Sequence, residues 1–287
     1  MSTRPVTRTW YRVAIARPHA APMLLAAEGE HLGMAIATAE HHVKGAYAIA
    51  AEVANSAEIP LGESVGKERV VEIGDAPELP TFHWPVGVIP SLAAPTERAE
   101  ARRGYTIHDD PNLFVVEAQT EAEHLTDLFM GMIERLPTAD NLEIRVLDHF
   151  EDAGTTDVYL TSRVDAKKIL RFLDDHDDEL FGNGHLETSI YIRKHKATLR
   201  LTEHKTVVWL SEDRTLETEV AGWLKDLAVP RVPSLVTITR TPHFHYRPAK
   251  SRDRNKLEEY LYRQRLRRVD TLRDGRSTRA SSAEADT

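Results

Sequence analysis

The chain has 287 residues, of which 41% are hydrophobic and 29% are charged, and it contains no cysteine. This composition is typical of a globular protein with one large domain or two ordinary ones, and it excludes an intrinsically disordered chain. Without cysteine there is no disulfide, no thiolate zinc site and no cysteine nucleophile. No stretch approaches the roughly 18–20 apolar residues that a membrane-spanning helix needs, and the basic N-terminus lacks the apolar core of a signal peptide. We therefore expect a cytoplasmic protein with no membrane contact.

Residues 1–73 are predicted to form a small α+β domain with a ββαβ-like order. The segments TWYRVAIAR and PMLLAAEG are typical of strands, and EHLGMAIATAEHHV has apolar residues at helical spacing. The alanine-rich segment AYAIAAEVAN fits either a strand or a continuation of that helix. The segment ERVVEIG is expected to close the unit as its last strand.

Residues 74–104 are predicted to be a proline-rich arm followed by a charged linker. Five prolines between residues 74 and 95 rule out a regular helix or a central strand. Phe82 and Trp84 are too apolar for a free linker, so the arm is expected to cover an apolar surface. It either packs along its own chain or docks on a second subunit, where proline lowers the entropy that is lost on ordering.

Residues 105–248 are predicted to form a ferredoxin-like α+β domain. From residue 112 to 193 the pattern gives the order β-α-β-β-α-β, which is the order of a split βαβ unit. The clearest helix is TEAEHLTDLFMGMIERL, in which Thr120 and Glu123 fit a capping box ahead of an apolar stripe. Two more strands, the helix SEDRTLETEVAGWLKDLAV and a closing strand SLVTITR extend the domain. We expect an antiparallel or mixed sheet covered by three helices.

Positive charge is concentrated at the C-terminal end of an otherwise acidic chain. Residues 240–287 contain thirteen Lys and Arg against seven Asp and Glu, a net charge of +6. Because the whole chain has a net charge of −8, residues 1–239 have a net charge of −14. The segment SRDRNKLEEYLYRQRLRRVDTLR is predicted to be one amphipathic helix, and the polar residues after it are predicted to be disordered. Residues 249–287 are thus a basic helix and tail that either reach a partner or fold back onto the acidic body.

The first hypothesis is a non-enzymatic binding or assembly protein, which attaches to a protein partner or to a second copy of itself through the basic helix and the arm. The residues assigned to partner binding are Lys256, Tyr260, Arg263, Arg265, Arg267, Arg268, Phe82 and Trp84. The alternative is a nucleic-acid-binding protein that uses residues 250–279, because arginine grips phosphates and tyrosine stacks on bases. The acidic body and the lack of an RNP-type aromatic sequence weigh against it.

A second alternative is a hydrolase, for which the sequence offers two candidate sites. Ser64 lies in a G-x-S-x-G pattern, but the residues after it predict a strand and not the helix that a nucleophile elbow requires. His243 and His245 share one face of a strand and could approach one ion, with Asp148 or His149 as a third ligand. Two histidines do not define a metal site, so no catalytic residue, metal or cofactor is assigned.

Other polar features are interpreted as solvated surface. The run DDHDDE at residues 174–179 lacks the glycine turn and the terminal acid of an EF-hand loop. His185 and His204 have no partner that is visible in the sequence. The sequence contains neither a P-loop nor a dinucleotide-binding pattern, so nucleotide binding has no local support.

Overall fold

The structure is a computed structural model that describes residues 8–17, 19–55, 59, 69–77, 79–93, 101–273 and 276–277. Within these residues it has antiparallel sheets of four and nine strands, a separate two-stranded pair and six α-helices. The predicted α+β class is therefore confirmed. The Ser64 pattern and the polar end of the tail, residues 278–287, lie outside the described residues. No helix in the described ranges is long and apolar enough to cross a bilayer.

The N-terminal unit is a four-stranded antiparallel sheet with one helix on its face. Its elements are β1 (Thr9–Arg17), β2 (Ala20–Gly29), α1 (Leu32–His42), β3 (Tyr47–Val53) and β4 (Val70–Asp75). The strands lie in the order β3-β1-β2-β4, and their apolar side chains share a core with α1. The alanine-rich segment is a strand and not more helix, because Gly45, at φ +75°, reverses the chain after α1.

The second unit is a nine-stranded sheet in which all pairings are antiparallel. Its strands are β6 (Gly104–His108), β7 (Phe114–Gln119), β8 (Asn141–Val146), β9 (Thr156–Leu160), β10 (Leu186–Ile192), β11 (Ala197–Leu201), β12 (Val207–Ser211), β14 (Arg267–Arg273) and β15 (Arg276–Ser277). They lie in the order β15-β14-β9-β8-β10-β11-β12-β7-β6. The helices are α2 (Leu125–Glu134), α3 (Ala166–Asp174), α4 (Asp177–Leu180), α5 (Glu217–Asp226) and α6 (Arg254–Arg263). The three predicted helices, α2, α3 and α5, all contribute to the core of this sheet.

The predicted ferredoxin-like arrangement is not confirmed, although β7, α2, β8, β9, α3 and β10 follow the predicted order. In a split βαβ unit the third strand lies between the first two, so the first and third strands are neighbours in the sheet. Here β7 lies between β12 and β6, and β9 lies between β8 and β14. Tight turns that contain Lys196 and Lys205, both with positive φ, join β10, β11 and β12. Such turns favour pairing between consecutive antiparallel strands, so the sheet grows as a meander.

The predicted closing strand SLVTITR is wrong. Residues 238–240 form a 3-10 turn, and the strand in this region comes later, at β13 (His243–His245). The carbonyl oxygen of Val236 accepts a hydrogen bond from the side-chain amide of Gln119 at 3.1 Å. A side chain therefore occupies the acceptor that a neighbouring strand would have used.

The proline-rich arm lies between the two sheets and is held there by its backbone. Its strand β5 (Val88–Pro90) pairs with β13. Next to β5, Gly87 has φ +105°, and a Cβ on Gly184 would lie 1.9 Å from the Gly87 carbonyl oxygen. The amide of Tyr246 donates to that oxygen at 2.8 Å, and the Tyr246 carbonyl accepts from the Gly184 amide at 2.9 Å. We call this backbone contact of Gly87, Gly184 and Tyr246 the glycine clamp.

Phe82 and Trp84, which are assigned to partner binding, lie half-buried against their own chain. Their rings meet edge to face with centroids 4.8 Å apart, and both line a small pocket with Ile49 and Val236. The arm thus covers an apolar surface of its own molecule. Docking of these two side chains on a partner stays a prediction.

The basic C-terminal segment is not one helix. α6 ends at Arg263, Arg265 adopts φ +66°, and β14 then pairs with β9. The prediction of a helix through residue 273 is therefore wrong beyond Arg263, because the burial of Leu266 turns the chain onto the edge of the sheet. The predicted apolar contacts of the helix, Leu257 and Leu261, are fully buried.

Arg254 joins α6 to the nine-stranded sheet through a buried ion pair. Its Nη2 atom lies 2.8 Å from Oδ2 of Asp157, and its Nε atom lies 2.9 Å from Oε1 of Glu258. The side chains of Arg254 and Asp157 are 8% and 6% exposed. Nη2 also donates to the carbonyl oxygen of Thr155 at 2.9 Å. Among the described residues Asp157 has one further ion pair, with Arg268 at 3.5 Å, so removal of Arg254 leaves the buried carboxylate with only that longer ion pair.

The variant Arg254→Ala tests this anchor. We expect it to lower the free energy of unfolding by about 3–5 kcal/mol, the usual loss when one partner of a buried ion pair is removed. Urea denaturation at pH 7 measures the change. The control is Arg265→Ala, an exposed arginine eleven residues further on, for which we expect a change within about 0.5 kcal/mol. A loss below 1 kcal/mol for Arg254→Ala would contradict the assignment.

Candidate metal centre

The C-terminal residues assigned to partner binding mostly contact their own chain. Their intramolecular partners are Asp253 for Lys256, Glu259 for Arg263, Asp157 for Arg268 and His176 for Tyr260, at 2.7, 3.5, 3.5 and 2.6 Å. Arg265 and Arg267 are exposed, and neither has an ion pair within the described part of the chain. Much of the basic charge thus folds back onto the molecule. The partner-binding role of the segment stays a prediction.

Three histidines from two distant parts of the chain converge beside the glycine clamp. His243 and His245 lie on β13, and His204 lies in the turn between β11 and β12. One ring nitrogen from each residue lies within 4.8 Å of the corresponding atoms of the other two. The distances between ring centroids are 5.1, 4.9 and 5.1 Å. We call these three residues the histidine centre.

Local structure explains why the three rings face one another. Side chains two residues apart on a strand share a face, which aligns His243 with His245. The glycine clamp and the pairing with β5 fix the position of β13. The turn that carries His204 is closed by a hydrogen bond from the Lys205 amide to the Thr202 carbonyl oxygen at 3.0 Å. The third ring is therefore fixed by a turn and not by a flexible loop.

The hydrogen bonds of His243 and His245 leave the same nitrogen open in both rings. Nδ1 of His243 lies 2.8 Å from the Thr241 carbonyl oxygen, and Nδ1 of His245 lies 2.7 Å from that of Gly184. A carbonyl oxygen can only accept, so Nδ1 donates in both rings and Nε2 is left for another partner. Histidines that bind a metal through Nε2 use Nδ1 in this way. Nδ1 of His204 lies 3.2 Å from Oε1 of its neighbour Glu203, at ion-pair distance.

Burial favours the neutral form of His204 and His245. Burial, with smaller contributions from neighbouring histidines, lowers the pKa of His204 to about 4 and that of His245 to about 3. A neutral imidazole offers its lone pair without first losing a proton, which favours binding of a cation at pH 7. Glu187 and Glu203 lie beside the centre, and burial together with a hydrogen bond to Glu203 raises the pKa of Glu187 to about 7.

Two more histidines, His149 and His185, border the histidine centre. The ring of His149 lies 4.7 Å from that of His245 and 5.0 Å from that of His185, measured between centroids. Burial lowers the pKa of His185 to about 3. Its Nδ1 atom is buried, and no residue in the described ranges forms a hydrogen bond with it. The surface as a whole presents five imidazoles from four separate segments.

The sequence identified only part of this centre. It placed His243 and His245 on one strand face and named Asp148 or His149 as a third ligand, whereas the third member is His204. The interpretation of His204 and His185 as solvated and partnerless is wrong, because the fold brings both turns to β13. No spacing in the sequence could indicate this, since the pairing of β5 with β13 decides it.

The donor set determines which ions the centre suits. Neutral imidazole nitrogens suit zinc, copper and nickel, whereas magnesium and calcium require oxygen ligands. A tetrahedral ion at about 2.1 Å from each nitrogen needs nitrogens about 3.4 Å apart. The half-buried rings would move closer by roughly 1 Å to reach that geometry. The residues present therefore fit a transition-metal ion of the zinc type.

Lys205, the residue after His204, is a further titratable group next to the histidine centre. Its side chain is fully buried, and Nζ donates to the Asn183 carbonyl oxygen at 2.7 Å. Burial lowers its pKa from 10.5 to about 7, although Glu203 and Glu187 oppose the shift. Much of the positive charge of this side chain is thus removed near pH 7, so it repels a bound cation less than an ordinary lysine would.

The variant Lys205→Met tests this assignment through the pH dependence of stability. Between pH 7 and 10 the unfolded chain holds a proton on Lys205 that the folded chain has released. Stability of the wild type should therefore rise with pH over this window, by up to about 1.4 kcal/mol per pH unit from this group. Urea denaturation at pH 7, 8 and 9 measures the free energy of unfolding of both chains. The value for the wild type minus the value for the variant should increase with pH. A difference that stays constant would show that Lys205 keeps its ordinary pKa.

The histidine centre is thus a half-buried set of three imidazoles, with two more imidazoles at its edge. Comparison of the chain with protein-family models, with curated proteins and with solved structures gives no match.

Proposed function

We propose that this protein binds a transition-metal ion of the zinc type at His204, His243 and His245. The observation that carries the proposal is the approach of three ring nitrogens, one from each residue, to within 4.8 Å of one another. Nδ1 of His243 and Nδ1 of His245 each have a backbone carbonyl oxygen as acceptor, which leaves Nε2 of both rings for an ion.

Burial and charge support the same function. The three side chains are half-buried, so an ion would exchange bulk water for fixed ligands at a surface that is already partly dry. Glu187 and Glu203, which share a hydrogen bond, lie close to His204. This pair supplies negative charge next to the ion. Carboxylates behind histidine ligands fix the ring orientation and raise the basicity of the nitrogen that binds the metal.

Zinc titration of the full chain tests the proposal. We expect isothermal titration calorimetry to give one ion per chain, and saturation at about 100 times the dissociation constant to stabilise the fold by about 2.7 kcal/mol. The double variant His243→Gln with His245→Gln should bind at least about tenfold more weakly, because it removes two of three ligands. Magnesium at the same concentration should give no heat of binding.

The matched control is His42→Gln, which alters an exposed histidine at the end of α1. It should bind zinc as the wild type does. A wild-type chain that takes up no zinc, or a double variant with unchanged affinity, would reject the metal centre.

A second candidate function is the binding of a protein partner through the C-terminal segment. The proposed binding surface is now one part of that segment. Tyr262 and Val269 are 49% and 38% exposed although both are large and apolar. They line a surface cavity of about 650 Å³ together with Arg265 and Arg267, neither of which has an ion pair among the described residues. We propose an acidic segment of a partner, or of a second copy of this chain, as the occupant. The apolar contacts would supply affinity and the arginines would select for negative charge.

Binding of a fluorescent polyglutamate peptide tests this candidate. The double variant Arg265→Glu with Arg267→Glu should weaken binding at least about tenfold, since it replaces attraction at two positions by repulsion. The control Lys256→Glu alters a cation that is paired with Asp253 and lies outside the cavity. Tighter binding of single-stranded DNA than of the peptide, with a steep dependence on salt, would favour the nucleic-acid alternative instead.

A further inference from the structure

The loop between β8 and β9 places His149 at the edge of the histidine centre. Phe150 is 1% exposed and anchors the loop, and its ring stacks on that of His185 with centroids 4.7 Å apart and planes 4° apart. His149 is the residue just before Phe150, and its ring centroid lies 4.7 Å from that of His245. The anchor is thus buried while the imidazole beside it faces the centre.

Little holds the His149 side chain in its present position. It is 38% exposed, and within the described residues its one ion-pair contact is Nδ1 to Oδ1 of Asp148 at 3.5 Å. Asp148 is adjacent in sequence and 51% exposed, so this contact is weak. A rotation about the side-chain bonds would break no strong hydrogen bond and would bring the ring toward the nitrogens of the centre.

Other groups near the centre are less free to become a fourth ligand. The ring of His185 is stacked between neighbours and lies 6.4 Å from that of His245. Glu203 lies 3.2 Å from Nδ1 of His204 and shares a hydrogen bond with Glu187. Either group would have to abandon a buried contact to reach an ion, whereas His149 would give up only the weak contact with Asp148.

The backbone of the loop is strained at the residues that follow the anchor. Glu151 and Asp152 have φ +56° and +49°, consecutive left-handed conformations that residues other than glycine rarely adopt, and Gly154 has φ +67°. Arg247, two residues beyond His245, lies 3.9 Å from Glu151. Strain of this kind persists where the surrounding structure holds it and is concentrated at functional sites.

We propose that His149 is the fourth ligand of the ion and that metal binding fixes the β8–β9 loop on the histidine centre. The inference depends on the proposed metal-binding function. Four imidazoles complete a tetrahedral shell and leave no position for a reactive water, as in closed metal sites. The ion is therefore held and not used for hydrolysis. Because one of its ligands lies on an exposed loop, the ion can exchange, and the loop reports whether it is bound.

Cobalt substitution of the full chain tests the coordination. Tetrahedral cobalt absorbs visible light far more strongly than five- or six-coordinate cobalt, so the wild type should show an intense band. His149→Gln should lose most of this intensity and bind cobalt and zinc at least about tenfold more weakly. Asp152→Asn, at an exposed position of the same loop, is the control, and it should keep both the band and the affinity.

Hydrogen exchange gives a second readout that does not depend on colour. Zinc should slow exchange of the amides of residues 147–154 in the wild type and in Asp152→Asn, but not in His149→Gln. If the wild type binds one ion and His149→Gln matches it in spectrum, affinity and exchange, the fourth-ligand inference is wrong while the metal centre stands. If the wild type binds no ion, both are wrong.

Discussion

The close approach of Gly87 to Gly184 is the constraint on which the arrangement of this molecule depends. A Cβ on Gly184 would lie 1.9 Å from the Gly87 carbonyl oxygen, so no other residue can occupy that position without a backbone shift. The approach lets Tyr246 bond both glycines and holds β13 between the sheets. Tyr246 and Ile89 complete the core of the N-terminal sheet, which ties the two units together. The positions of His243 and His245 in the histidine centre follow from this contact.

Ion pairs in this chain hold the C-terminal segment against the rest of the molecule. The sequence separates an acidic body from a basic end, and the structure brings much of that end back through the ion pairs of Arg252 with Glu179 and of Arg254 with Asp157. The second is buried, and it holds α6 against the sheet while Leu257 and Leu261 enter the core. The charge split therefore reflects how the C-terminal segment adds to the fold. Arg265 and Arg267 are exposed cations of this segment that have no ion pair within the described residues.

Much of the local structure could be predicted because it depends on neighbours in sequence. The apolar stripe of α2 and the alternation in β10 to β12 determine these elements. Capping was less predictable: the Thr120 hydroxyl bonds Glu121 at 3.3 Å and does not form the expected capping box. Strand pairing and the histidine centre depend on contacts between distant segments, which no periodicity encodes. His204 and His243 come together only because the strands and the glycine clamp place them there.

The pairing of β5 with β13 also has a consequence for how the molecule acquires its centre. These strands come from residues 88–90 and 243–245, so their association closes a very long loop, and contacts of that kind form late in folding. During synthesis the ribosome has to release residue 245 before the cluster of imidazoles can exist at all. A chain that is still growing, or one that is cut short before residue 243, would carry His149 and His204 without β13, the strand beside which they lie.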